Sequence, residues 1–355
     1  MKPRILFIFL IIPLLFSCKE VYYPDLNSTN KILVVSGIIT NQHKTHSISL
    51  SWAKSFNDKD DLEPVKGAQV YITDKRSENY YFVEGDCGIY YSDTILFVPQ
   101  IGNAYKLTIV LDDGVRYESD YQDLLEENAL GEISGNISNK DFIIEVGDNT
   151  IVQSYDGVEA LVSIAAAEGV IPKHRFDVEL LIQYVWNDDG MISNTHFCWV
   201  TYNPNNNVNI TSSKYDVNVN GMIFHSMCFL PQNSNYWNIE HAYSCFIIFI
   251  DAYRLNDASY SFYKKAHDQL AADNSIFDPI TVQLPCNIKC ITDSGRPVLG
   301  FFEASNVSSF TFIIQETSPS SVRFINSPDF PRGFEKSGYS INVMPSFWYT
   351  NYINK

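Results

Sequence analysis

Few residues in this 355-residue chain are spaced for chemistry. Ser261-Phe262-Tyr263-Lys264 fits Ser-x-x-Lys, where a lysine can serve a serine nucleophile. The partner motifs of that chemistry are missing, so the spacing reads as chance. His43 and His46 lie close together, but no further ligand follows at metal-site spacing, and both read as surface histidines. Asp58, Asp60, Asp61 and Glu63 crowd hard oxygen ligands into one loop. That loop lacks the glycine and terminal glutamate of an EF-hand, which leaves a solvated acidic loop. Cys286-x-x-x-Cys290 is not zinc-ribbon spacing, and no second pair matches it. The chain contains no Gly-x-Ser-x-Gly elbow, no His-Glu-x-x-His and no phosphate loop. A carboxylate pair for glycoside hydrolysis is set by separation in space, so 41 acidic residues say nothing for or against one. The expectation is a non-catalytic protein with no metal site and no cofactor.

Binding chemistry is better represented. Trp186, Trp199, Tyr202, Tyr236 and Trp237 fall near loops of the second half. Flat apolar faces with polar tips suit a glycan or peptide ligand. Trp186 and Trp199 read as core. Tyr236-Trp237, flanked by Asn235 and Asn238, is the candidate ligand platform.

The N-terminus carries a different signal. Lys2 and Arg4 precede Ile5–Phe16, a run of 12 uncharged residues, too short to cross a bilayer as a helix of about 20. The run closes with Leu15-Phe16-Ser17-Cys18, which resembles the lipobox of bacterial lipoproteins. Cleavage after Ser17 would leave Cys18 as an acylated N-terminus, and several acyl chains make a durable bilayer anchor. The alternative is an ordinary cleaved signal followed by a chance cysteine.

Cleavage removes Lys2 and Arg4 and no acid, so the 25 basic residues fall to 23 against 41 acidic ones, a balance of −18. Such a surface excludes nucleic acid as a partner and is repelled by anionic headgroups. Hydrophobic residues at 45% and charged ones at 19% suit a packed body, and 22 Tyr with 23 Phe favour strands. Six cysteines remain beyond Cys18: Cys87, Cys198, Cys228, Cys245, Cys286 and Cys290. An exported protein permits disulfides, and sequence leaves their pairing open. Gly85-Asp86-Cys87-Gly88 reads as a local turn with a free thiol.

These features need elements to position them. The fold class read from the sequence is mostly β: an N-terminal Ig-like or transthyretin-like β-sandwich, then a larger β-sandwich or barrel-like domain carrying one α-helix. Residues 1–17 form the signal and 18–31 a polar tether. Residues 32–120 hold short strands at close spacing, with Ile48, Leu50 and Trp52 alternating and Asp112-Asp113-Gly114 marking a hairpin turn. Pro64-Val65-Lys66-Gly67-Ala68-Gln69-Val70 resembles the strand entry of transthyretin-like and carboxypeptidase-regulatory-like domains. Residues 121–131 are an acidic connector expected to be exposed. Residues 132–316 form the second domain, in which Asn256 or Asp257 caps a helix over 257–272 whose Tyr260, Tyr263 and Leu270 face the sheet. Residues 317–355 read as an irregular tail.

The chain also resembles a family, the Bacteroidetes outer-membrane lipoproteins of domain of unknown function 4249. Cys198-Trp199, Ala252-Tyr253-Arg254, the helix with Ser275-Ile276-Phe277-Asp278-Pro279, Cys286-Asn287-Ile288, Val298–Ser305 and Pro345-Ser346-Phe347-Trp348 carry the resemblance, with Leu33–Gly37 and Ile38–Asn41 at the front. The resemblance implies a lipoprotein facing the cell surface or the periplasm, with a TonB-dependent outer-membrane transporter as partner. It implies no catalytic residues. The function expected is an accessory to nutrient uptake; the alternatives are a surface adhesion or envelope-scaffold protein and a surface hydrolase.

Overall fold

Alternation of apolar and small polar residues builds the first strands. In the computed structural model, which describes residues 31–53, 62–127, 130–146, 149–166, 170, 172–187, 195–202, 208–212, 217–219, 221–231, 246–270, 283–318 and 321–326, strands β1 (Leu33–Thr40) and β2 (Ser47–Trp52) pair antiparallel. Leu33, Val35, Ile39, Ile48 and Leu50 point inward, and Ser47 and Ser49 outward. Then follow β3 (Glu63–Pro64), β4 (Gln69–Asp74), β5 (Asn79–Glu84), β6 (Ile89–Tyr91), β7 (Ala104–Val110), β8 (Arg116–Ser119) and β9 (Gln122–Asp123). Strand β5 pairs β4 through one end and β6 through the other, so it turns the corner between two layers. Tyr90, Tyr117, Ile72, Leu107 and Ile109 fill the space between them. Gly114, at φ 83°, closes the hairpin between β7 and β8 where the sequence places a turn. The connector is not exposed along its length: Leu124 and Gln122 are buried, and β9 pairs β7.

The second half adds β10 (Leu130–Val146), β11 (Asn149–Ala165), β12 (His174–Asn187), β13 (Thr195–Tyr202), β14 (Asn209–Ile210), β15 (Val217–Val219), β16 (Met222–Pro231), β17 (Phe246–Arg254), helix α1 (Asp257–Leu270), β18 (Ile288–Cys290), β19 (Val298–Ser318) and β20 (Ser321–Asn326). The fold is mostly β, as expected, with a small sheet in the order β10-β11-β16-β15 and a large one running β13-β12-β17-β19-β1-β2-β6-β5-β4-β7-β8-β18. A second core forms where Val158, Ala160 and Val162 of β11 and Met227 of β16 meet Val178, Ile248, Ile250 and Phe312. Strands β10 and β11 are longer than their sequence suggests, because cross-strand pairing carries Ser, Asn and Gly positions that lack strand preference. Residues 321–326, inside the stretch read as an irregular tail, instead pair with β19; Val322, Phe324 and Ile325 are strand formers.

Strand β19 serves both cores. Its first part, Val298–Ser305, pairs parallel with β1, and Asn306–Ile314 pairs antiparallel with β17. The parallel pairing brings Gly300 against Val35, where a Cβ would lie 1.8 Å from the Val35 carbonyl oxygen, and Gly300 has φ 103°. Only glycine fits there.

Candidate functional site

The chemistry-bearing side chains gather where α1 crosses β12, β17 and β19. The helix starts where the sequence places it: Asn256 Oδ1 accepts from Ser259 N at 2.9 Å, an N-cap. The same side chain donates from Nδ2 to Gln122 Oε1 at 3.1 Å, tying the helix to the connector. Lys173 Nζ pairs with Asp257 at 2.5 Å, and the Tyr260 hydroxyl donates to Thr211 O at 2.7 Å. Phe262 stacks on Phe301 with centroids 4.6 Å apart. Tyr260 and Tyr263 do face the strands, both half-buried, but Leu270 is exposed and does not belong to that face.

Beneath the helix, Arg175 of β12 is held between two tyrosine rings. Its guanidinium carbon lies 3.8 Å from the Tyr253 centroid and 4.7 Å from that of Tyr263. Nη1 donates to Asp177 Oδ1 at 2.6 Å, and Nη2 lies 4.0 Å from Glu303 Oε1. Glu303 is buried; Oε2 accepts from the Tyr263 hydroxyl at 2.5 Å and Oε1 from Ser305 Oγ at 2.5 Å. Burial, then the Glu303 charge, pushes the Tyr263 phenol far up; burial, then Asp177, does the same to Tyr253. Both stay protonated, and Tyr263 acts as the donor to Glu303. Burial works against the charge on Arg175, but Glu303 and the other acidic neighbours outweigh it, and the guanidinium stays charged.

A second polar chain runs beside the first. Buried His174 places Nε2 2.7 Å from Glu127 Oε1, and Glu127 Oε2 accepts from Ser308 Oγ at 3.3 Å. The carboxylate lies between the serine and the imidazole, so the histidine is not placed to take the hydroxyl proton. The arrangement ties the end of the connector to β12 and β19. It is a fastening, not a nucleophile with its base.

Several residues singled out by sequence lie elsewhere. Cys18 and the Tyr236-Trp237 platform fall outside the described residues, as do Asp58, Asp60 and Asp61. Trp186 and Trp199 lie on β12 and β13. Glu63 pairs with Lys31 at 2.5 Å. Ser261 is exposed and Lys264 pairs with Asp268 at 2.8 Å, which leaves Ser-x-x-Lys without a role. His43 is exposed as expected, but His46 is not a surface residue. It is buried edge-on against Phe97, and burial, with Lys44 nearby, lowers its pKa to about 4. Cys87, Cys228, Cys286 and Cys290 are free thiols; Cys87 is exposed in its turn. Among the described residues, no group of three or more His, Cys, Asp or Glu is placed to hold a metal.

The family model described as domain of unknown function, DUF4249, matches residues 19–311. The chain belongs to that family. No curated protein and no solved structure gives a match. The DUF4249 match takes in β1, the helix and the β19 residues that meet them, and so covers Arg175, Tyr253, Tyr263 and Glu303. Tyr253 and Glu303 lie in segments that carry the family likeness, and Arg175 does not. The one available signal was a charged residue inside the strand His174–Asn187, where an unpaired charge would be costly.

Proposed function

We propose that this DUF4249 protein is a lipid-anchored lipoprotein of the bacterial outer membrane, non-catalytic, and an accessory to TonB-dependent nutrient uptake through ligand or transporter binding. The observation that carries the reading is Leu15-Phe16-Ser17-Cys18 at the end of a short uncharged run behind Lys2 and Arg4. The Arg175–Asp177 ion pair and the Tyr263–Glu303 hydrogen bond, which join the helix to β12 and β19, support a cluster that positions elements. Cys18→Ala tests the anchor: the variant is expected to stay unprocessed or leave the membrane fraction, and to lose incorporation of labelled palmitate. Normal processing and membrane binding of the variant would refute it. Co-purification of a TonB-dependent transporter with the tagged wild-type protein from its own membranes tests the second half.

A further inference from the structure

The outer side of the β5 corner is apolar where a solvated face is expected. Val83 and Tyr91 stand opposite each other across β5 and β6, and Tyr81 lies two residues from Val83 on the same side. Val83 is 72% exposed and Tyr81 55%. The Tyr91 ring lies over Gly85, where a Cβ would fall 2.4 Å from it. Past the end of β6, a turn sets Ile95 and Leu96 side by side in solvent, 81% and 74% exposed. The turn is fixed, because Asp93 Oδ1 accepts from Ile95 N at 2.7 Å and Leu96 N at 3.0 Å. Ile101, also exposed, begins the next turn, ahead of β7.

Resting on the lipid-anchor reading, we propose that the turn bearing Ile95 and Leu96 lies on the phospholipid surface, with both side chains entering the acyl boundary. Two aliphatic tips on a turn held by Asp93 match shallow insertion at a bilayer interface. Asp93 stands at the turn on a mature chain whose balance is −18, which disfavours both anionic lipid and a second copy of the chain. The surface selected is zwitterionic. Chain length allows the contact. By register the patch lies toward the Thr40 end of β1, away from Lys31. Eight strand residues span roughly 27 Å. The 13 residues from Cys18 to Lys31 reach up to about 45 Å, so the body can lie along the bilayer. A tethered patch needs little affinity of its own, because the anchor makes its encounter with lipid intramolecular.

The test uses the lipidated full chain on phosphatidylcholine vesicles. A nitroxide is attached at Leu96→Cys in a Cys87→Ser background, which removes the thiol exposed among the described residues; Cys87→Ser alone supplies the labelling background of the other cysteines, and the same label at Asp293→Cys serves as reference. The label at 96 is expected to favour oxygen over an aqueous nickel complex several-fold more than the label at 293, and to lose that preference when phosphatidylglycerol is added. Equal accessibility at the two positions on a protein that floats with the vesicles overturns the lipid contact and turns the patch over to a protein partner. A protein that does not float overturns the anchor reading instead, and this one with it.

Discussion

Asn287 makes with Phe302 the two hydrogen bonds that a neighbouring strand would make. Its Nδ2 donates to Phe302 O at 2.7 Å, and Phe302 N donates to its Oδ1 at 3.0 Å. The side chain thus bridges β18, which pairs with β8, to β19, which pairs with β1, and closes the first core. Asn287→Ala leaves a buried donor and a buried acceptor without partners. A loss of about 2–4 kcal/mol in urea unfolding is expected. Asn287→Asp should not rescue it, since a carboxylate cannot donate to Phe302 O.

Gly300→Ala tests the seam between β1 and β19. The added methyl meets the Val35 carbonyl, and the backbone conformation is one that alanine adopts only with strain. The expected cost is about 3 kcal/mol or more, seen as a lowered thermal midpoint or loss of soluble protein. Wild-type stability in the variant would mean that the parallel register is wrong.

Tyr263→Phe isolates one hydrogen bond. It keeps the ring beside Arg175 and removes the donor to Glu303, leaving Ser305 to serve a buried carboxylate. About 1.5–3 kcal/mol should be lost. Tyr263→Ala also removes the ring and should cost about 3–5 kcal/mol. Chemical denaturation followed by circular dichroism measures both.

His46 predicts an acid-sensitive stability. Its folded pKa of about 4 lies below the ordinary 6.5, so between those values the unfolded chain binds a proton that the folded one refuses. Stability therefore falls as pH drops from about 6.5 to about 4 and is insensitive to this group above that window. His46→Phe should flatten this part of the profile, measured as urea midpoints at pH 7 and pH 5. An unchanged slope would place the sensitivity on another group.

Local signals were legible in the sequence. The alternation of Ile48 and Leu50, the Gly114 turn and the Asn256 cap each depend on neighbours a few residues away, and each appears where the pattern puts it. Burial of His46 was not legible, because it depends on Phe97 and Ser92 arriving from another loop. Arg175 and Glu303 meet only when two strands and a helix far apart in sequence pack together. Nothing in their own surroundings marks them as partners. The roles of Asn287 and Gly300 were hidden for the same reason, although both lie in segments that carry the family likeness.

The sharing of β19 has a consequence for the order in which the chain matures. Leu33 waits for Val298, 265 residues downstream, before β1 has its parallel neighbour. A chain that emerges N-terminus first therefore exposes the open edge of β1 until almost all of it has been delivered. Contacts of such long range form slowly, and an unpaired strand edge invites wrong pairing in the interval. Until β19 arrives that edge has to be kept from pairing wrongly, and the first core is complete only when it does.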